Sequence, residues 1–176
     1  MKKPVELKGK AVVIRDAKGN PIDDIDTDMI FHNKYLHITN IAEMGQYSFD
    51  NLEGWKDFAK KAQKGDILIL GANFGSGSSR QQAVDCFTSL DVQILIAKSF
   101  GAIYKRNAIN AGMPLLEADI IDDKSIIETG DEIIVNLENG TIKNLTKKKE
   151  YKTKGMYRVQ MDIYQAGSLF AYAKNM

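Results

Sequence analysis

A short glycine-rich loop carries the residue types best suited to chemistry. The stretch GANFGSGSSRQQA, residues 71–83, holds three glycines, three serines and Arg80, and it directly follows the apolar run DILIL. Backbone amides left free at the start of a helix favour an anion there, and the planar guanidinium of arginine can grip a carboxylate through two parallel hydrogen bonds. The loop therefore predicts a site for a small carboxylate or phosphate.

Three familiar loop motifs do not fit this spacing. A P-loop needs a lysine, which the loop lacks, and a dinucleotide-binding loop needs a third glycine where this chain has Arg80. A hydrolase elbow needs a glycine two residues after its serine, and Gln81 stands there after Ser79. The anion site competes with a plainer interpretation, in which Ser78 or Ser79 only caps a helix and Arg80 is a surface residue.

Composition limits the possible partners of this chain of 176 residues. Lys+Arg 24 against Asp+Glu 23 gives a net charge of +1, so no overall field attracts nucleic acid or an anionic membrane. The apolar runs fall short of the ~18 residues that suggest a membrane span, and MKKPVELKGK lacks the apolar segment of a signal peptide. The single Cys86 fits a reducing compartment. We expect a cytoplasmic protein that binds neither nucleic acid nor membrane.

Alternating strand and helix patterns position the loop. KGKAVVIRD is typical of a strand, and the apolar runs DILILG and VQILIA are typical of strands buried on both faces. Helices are predicted over SSRQQAVDCFTSL, with a serine able to cap its start, and over GAIYKRNAINAG, which ends before Pro114. Two successive strand–helix units favour parallel pairing at the centre of a sheet.

The remaining segments give weaker signals. Residues 17–40 form a long polar stretch, whereas MGQYSFDNLEGWKDFAKKAQ shows helical spacing around Trp55 and Phe58 and ends before Gly65. GDEIIVNLENGTIKNL predicts an antiparallel hairpin with an Asn-Gly turn. KKKEYKTKG is interpreted as a solvated basic loop, and QAGSLFAYAKN as a short closing helix. The length suits one domain, residues 1–176.

Four ordered blocks resemble the small subunit of the aconitase superfamily, in particular the small subunits of 3-isopropylmalate dehydratase and homoaconitase. The blocks are DIDTD, YLHIT, GANFGSGSSRQQA and IAKSFGAIYKRNAINAGMPLLE, and the similarity runs from about Lys10 to the C-terminus. The resemblance implies an α/β fold, a swivelling domain with a layered mixed β-sheet and flanking helices. It also implies a hydro-lyase that dehydrates a hydroxy acid and rehydrates the neighbouring carbon, and that works only with a large subunit.

The resemblance also implies roles for individual residues. Ser78 is implied to be the base that removes a proton from the carbon beside a carboxylate, and the dipoles of the loop would stabilise the alkoxide-like serine. Asp28 matches an acidic catalytic position. The plain alternative is an Asx turn in a polar loop, in which the carboxylate accepts a hydrogen bond from the backbone two residues on. The substrate-binding residues implied around them are Gly75, Gly77, Ser79 and Arg80.

YLHIT is implied to set the specificity. In the family this segment contacts the variable substituent of the substrate, and here it presents His37, Ile38 and Thr39. An arginine there suits a third carboxylate and apolar residues suit an isopropyl group, whereas an imidazole can serve either purpose depending on its protonation. His37 is alternatively an ordinary loop histidine. We expect 3-isopropylmalate, an intermediate of leucine biosynthesis, with homoaconitate, dimethylmalate or citrate as alternatives.

The resemblance implies a 4Fe-4S cluster on the large subunit and none in this chain. Such clusters need several cysteine thiolates, and this chain has only Cys86, which we interpret as a small core residue of a helix. The five-residue separation of His32 and His37 does not make the helical pair of a zinc site. We therefore expect no metal here.

A second hypothesis belongs to a different class. The same domain could be a non-catalytic module that binds an anion or a partner, for which the arginine and the free amides suffice. Catalysis needs Ser78, Arg80 and Asp28 together. One departure from the family pattern is Gln81, which stands where an acidic residue is usual and can alter how Arg80 is held.

Overall fold

A mixed seven-stranded sheet organises the molecule. The computed structural model describes residues 2–176, and its strand order is β4-β3-β2-β1-β5-β6-β7. Strands β1 to β4 are parallel, and β5 to β7 continue the sheet in antiparallel pairing from the other side of β1. The mixed sheet with flanking helices confirms the predicted α/β class. The strands are β1 (Glu6–Val13), β2 (Ile67–Leu70), β3 (Ile94–Ala97), β4 (Leu115–Glu117), β5 (Glu132–Asn136), β6 (Thr141–Asn144) and β7 (Lys149–Lys152).

Helices flank this sheet, and several of them are a single turn long. Short 3-10 turns add to them at Asn33–Tyr35 and Gly45–Tyr47. The α-helices are α1 (Thr27–Ile30), α2 (Ile41–Met44), α3 (Phe58–Lys61), α4 (Gln82–Ser89), α5 (Ala102–Asn110), α6 (Arg158–Ala166) and α7 (Leu169–Lys174).

The two apolar strands β2 and β3 contribute side chains to two hydrophobic cores, one on each face of the sheet. Successive side chains of a strand point to opposite faces of the sheet. Leu68 and Leu95 accordingly pack in one core, with Phe87 of α4, while Ile67 and Ile94 pack in the other. Every residue of both strands is buried, which confirms the prediction of strands buried on both faces.

Three predicted elements differ from the structure. The helix expected around Trp55 and Phe58 is reduced to the single turn of α3. Phe49 and Gly54, with φ angles of +58° and +84°, interrupt the segment before it, and the backbone is extended at Ala62, where α3 ends. The basic stretch KKKEYKTKG is not only a loop, since it contains β7, the edge strand of the sheet. Lysines are a common feature of such edges. The polar segment 17–40, for which no helix is predicted, contains the one-turn helix α1.

Helix α6 was not predicted at all. Its N-cap residue, Tyr157, makes no capping hydrogen bond through its side chain, so the usual start signal is missing from the sequence. The helix is held instead by tertiary packing, because Ile163 and Tyr164 are buried. The closing helix and the Asn-Gly hairpin were both predicted, and they correspond to α7 and to the β5–β6 pair.

Candidate active site

The glycine loop lies between two other chain segments at the carboxyl edge of the parallel strands. It follows β2, and the Gly75 amide donates to the carbonyl of Ile25 at 2.7 Å, while the Thr27 amide donates to the carbonyl of Ser76 at 2.9 Å. On the other side, the Phe74 amide donates to the carbonyl of Ser99, after β3, at 3.0 Å. This edge is where open α/β sheets bind their ligands.

Two of the glycines are required by the backbone of the loop. Gly75 and Gly77 have φ angles of +83° and +105°, a region that disfavours residues with a Cβ. A Cβ at Gly75 would lie 2.2 Å from Cγ of Tyr104 in α5, so the loop sits directly on that ring. The Gly75 amide is already bonded to Ile25, and this glycine therefore shapes the loop without a free amide for a substrate.

Free backbone amides follow Gly77. Helix α4 begins at Gln82, and its N-cap residue Gln81 makes no side-chain capping bond, so the prediction that a serine caps this helix is wrong. In the chain as described, the amides of residues 77–82 have no hydrogen-bond acceptor. Gly77, Ser78 and Ser79 are exposed. A row of unpaired donors at a helix start is suited to an anion.

Arg80 is not the surface residue of the plainer interpretation. Its side chain is 11% exposed, and its Nη1 donates to the carbonyl of Phe31 at 2.7 Å and to Oδ1 of Asp28 at 3.2 Å. The Gln81 side chain turns away and donates to Asp85. The unusual glutamine therefore does not hold Arg80, whose guanidinium is oriented by Asp28 and Phe31.

Asp28 is an ionised carboxylate held by several donors. Its Oδ1 accepts from the Asn33 amide at 2.9 Å, and its Oδ2 accepts from the Asn51 side chain at 3.2 Å and lies 4.0 Å from Nε2 of His32. Burial raises the pKa of Asp28, but the hydrogen bonds from Asn33 and Arg80 outweigh it and hold the pKa below its ordinary value of 3.8. The bond to Asn33 spans five residues, so it is not the local turn that was the plain alternative.

The two serines each have a neighbour that the sequence did not reveal. Oγ of Ser78 lies 3.2 Å from Oγ1 of Thr27, and Oγ of Ser79 accepts a hydrogen bond from the Asn107 side chain at 3.4 Å. Thr27 belongs to the DIDTD block, and Asn107 to α5. The structure thus brings Ser78, Ser79, Arg80 and Asp28 to the same edge of the sheet.

The YLHIT segment lies near the start of α4. The Gln82 side chain donates to the carbonyl of Leu36 at 3.4 Å. His37 and Thr39 are exposed, but Ile38 is only 9% exposed and packs in the core. The expectation that Ile38 contacts a substrate does not agree with this burial. His37 and Thr39 keep their place as candidate specificity residues.

No candidate metal site accompanies these residues. Residues 2–176 contain no group of three or more His, Cys, Asp or Glu side chains placed to hold a metal ion. Cys86 is fully buried in α4, and burial raises the pKa of its thiol to about 12, so it is an inert core thiol. The same part of the chain has no helix of the length and apolar character needed to cross a membrane.

Comparisons with known proteins identify the family of this chain. The family model for the aconitase C-terminal domain matches residues 22–120. The chain is 45% identical over 152 residues to the 3-isopropylmalate dehydratase small subunit of Caldicellulosiruptor bescii, covering 86% of this chain and 89% of that protein. It is 41% identical, with 86% and 88% covered, to the isopropylmalate/citramalate isomerase small subunit of Methanocaldococcus jannaschii. A crystal structure of 3-isopropylmalate dehydratase from M. jannaschii matches with a TM-score of 0.84 and 33% identity, covering 97% of this chain and 94% of that chain.

Proposed function

This chain belongs to the aconitase C-terminal domain family and to the 3-isopropylmalate dehydratase small subunits within it, and from that premise we propose that it supplies half of a hydro-lyase active site. One observation supports this half-site above the others. An exposed Ser78 stands beside the free amides of residues 77–82 and beside Arg80, whose guanidinium is oriented by Asp28. A proton acceptor and a carboxylate anchor thus share one open edge.

The proposed reaction divides between these groups. Arg80 and the free amides bind a carboxylate of the substrate. Ser78 Oγ, as its alkoxide, takes the proton from the carbon beside that carboxylate and becomes the neutral hydroxyl. The electrons of the C–H bond form the double bond, and the hydroxyl leaves the neighbouring carbon as hydroxide, into the half of the site that the large subunit would supply. The amides stabilise the charge on the serine oxygen as an oxyanion hole does. Rehydration reverses these steps with the hydroxyl on the other carbon.

3-Isopropylmalate is the substrate we propose. The relatives support this substrate, since several are named as small subunits of 3-isopropylmalate dehydratase. One relative is named as the small subunit of an isopropylmalate/citramalate isomerase. Homoaconitate, dimethylmalate and citrate remain the alternatives. His37 is exposed at the implied specificity segment, and an imidazole there suits a substituent that is not strongly anionic when the ring is neutral.

The other half of the site is proposed to come from a large subunit that carries the 4Fe-4S cluster. The residues of this chain do not fit such a cluster, because its single thiol, Cys86, is buried within α4. No step assigned to this chain passes through the cluster. We further propose that residues 1–176 form one swivelling domain and that the complex is cytoplasmic.

Assays of the complex test the proposed function. The chain is co-expressed with the large subunit of its own organism, and the purified complex is assayed with 3-isopropylmalate, homoaconitate, dimethylmalate, citramalate and citrate. We expect activity with 3-isopropylmalate from the complex and none from the isolated chain. In the same panel, His37→Arg should shift preference toward homoaconitate.

Two outcomes would contradict the proposed function. Dehydratase activity from the isolated chain would remove the need for a partner. A stable complex that is inactive on the whole panel would instead favour the non-catalytic module that binds an anion or a partner.

A further inference from the structure

Thr27 places a buried hydroxyl against the proposed base. The residue is only 2% exposed, and its Oγ1 lies 3.2 Å from Oγ of Ser78. Within residues 2–176, the Thr27 hydroxyl makes no other hydrogen bond. A buried hydroxyl without a partner is costly, so the contact with Ser78 satisfies Thr27 and at the same time fixes the serine.

The backbone on both sides holds this pair in place. The Thr27 amide donates to the carbonyl of Ser76, and the Gly75 amide donates to the carbonyl of Ile25, so the two chain segments run side by side at the serine. Gly77 leaves the necessary room, because a Cβ there would lie 3.2 Å from Oγ1 of Thr27. The approach of the two hydroxyls is therefore built into the fold.

The hydroxyl of Thr27 can assist Ser78 through a hydrogen bond. A threonine hydroxyl can both donate and accept a hydrogen bond, and the hydrogen bond that it donates is stronger when the acceptor carries charge. Ser78 acts as a base in its alkoxide form, which carries negative charge until it takes the proton of the substrate. We propose that Thr27 is a positioning residue, whose hydroxyl orients Ser78 Oγ and donates to that oxygen in its charged alkoxide form, so that the base is available. This inference rests on the proposed function of Ser78.

Isosteric substitution in the complex with the large subunit tests the proposal. Thr27→Val keeps the shape and removes the hydroxyl, and Thr27→Ser keeps the hydroxyl. We expect Thr27→Val to lower kcat with 3-isopropylmalate about 10- to 100-fold, with KM changed less than about threefold. Thr27→Ser should return kcat to within about threefold of the wild type. Thr88→Val, the same change on an exposed part of α4, serves as the control and should leave kcat unchanged.

A double variant separates this inference from the proposed function. In the Ser78→Ala complex, we expect Thr27→Val to cause no further loss, because it acts through the serine. An inactive Ser78→Ala beside a Thr27→Val of wild-type kcat would overturn the positioning role alone. Full activity of Ser78→Ala would overturn both.

A purely structural role for Thr27 would also be visible. Thermal melts and assembly with the large subunit are measured for each variant, and Thr27→Ala is the second variant if Thr27→Val fails to assemble. The proposal is overturned if the valine, alanine and serine variants lose kcat equally, or if only assembly separates them.

Discussion

Three consecutive residues have three separate tasks beside the glycine loop. Oδ1 of Asp26 accepts a hydrogen bond from the Met29 amide and caps α1. Thr27 contacts the hydroxyl of Ser78, and Asp28 accepts from Arg80. The cap fixes where α1 begins, and the start of α1 places the next two side chains toward the loop. The block DIDTD thus connects the start of a short helix to Ser78 and Arg80 of the loop.

The lowered pKa of Asp28 predicts a dependence of stability on pH. A carboxyl group whose folded-state pKa lies below its unfolded value contributes stability that is present above the unfolded pKa and is lost as the pH falls through the folded pKa. The ordinary value is 3.8 and the folded pKa lies below it. We expect the Tm difference between the wild type and Asp28→Asn to be constant from about pH 7 to pH 5 and to shrink below about pH 4.

The effect on Tm should be small. The Asp28 side chain is 42% exposed, and solvent screens its ion pairs, so a difference of about 1–2 °C is expected at neutral pH. Thermal melts of the two proteins across this range measure it. A Tm difference that grows on acidification would contradict the inferred direction of the pKa shift.

At the scale of elements, helix α5 packs directly against the glycine loop. The ring of Tyr104 packs against Gly75, and Gly101 at the start of α5 also approaches the loop, where a Cβ would lie 3.0 Å from the Gly75 carbonyl oxygen. Tyr104 is itself fixed by a hydrogen bond from its hydroxyl to the carbonyl of Ala83 in α4. The loop, α4 and α5 therefore pack together. A substitution that displaces one of them should also displace the residues of the candidate site.

Gly75→Ala tests this packing, with Gly130→Ala as its matched control. Both glycines have a positive φ, but no atom lies within 4 Å of a Cβ at Gly130, whereas one at Gly75 would overlap Tyr104. We expect Gly130→Ala to cost about 1 kcal/mol from its backbone conformation alone, and Gly75→Ala about 2–4 kcal/mol because overpacking is added. Urea denaturation measures both free energies of unfolding. Equal losses would contradict the tight contact.

The sequence predicted the elements that carry long, uniform signals. β2, β3 and α4 follow from continuous apolar runs and a regular apolar stripe, and the hairpin from its Asn-Gly turn. Single-turn helices such as α2 and α3 are too short for a periodic pattern to identify. The lysine-rich β7 forms because β6 offers a pairing edge, which no local pattern encodes.

The same reasoning explains what was predicted of the site. Ser78 and Arg80 could be predicted as candidate site residues because they share one loop with its glycines. Thr27 reaches Ser78 across 51 positions and Asn107 reaches Ser79 across 28, and such pairs depend on the register of the sheet. Ile38 was misjudged because burial of one residue in an exposed segment depends on the surrounding tertiary packing.

At the scale of the whole molecule, the candidate site lies at one end of the parallel strands and a separate cavity lies at the other end. That cavity, of about 640 Å³, is lined by Gly65, Gln93 and Pro114, which precede the parallel strands. The exposed serines and the free amides instead follow β2, at the carboxyl edge. A site that is open in the single chain agrees with the proposal that a partner subunit completes it.

The turnover of the complex that contains Ser78→Ala is the most direct test of the proposed half-site. The variant and the wild-type chain are each assembled with the large subunit, and kcat and KM are measured with 3-isopropylmalate. Because a general base typically contributes about 10²- to 10⁴-fold, we expect a loss of that size in kcat with KM changed less than about threefold. A Ser78→Ala complex that turns over at the wild-type rate would contradict the proposed role of this chain in the chemistry.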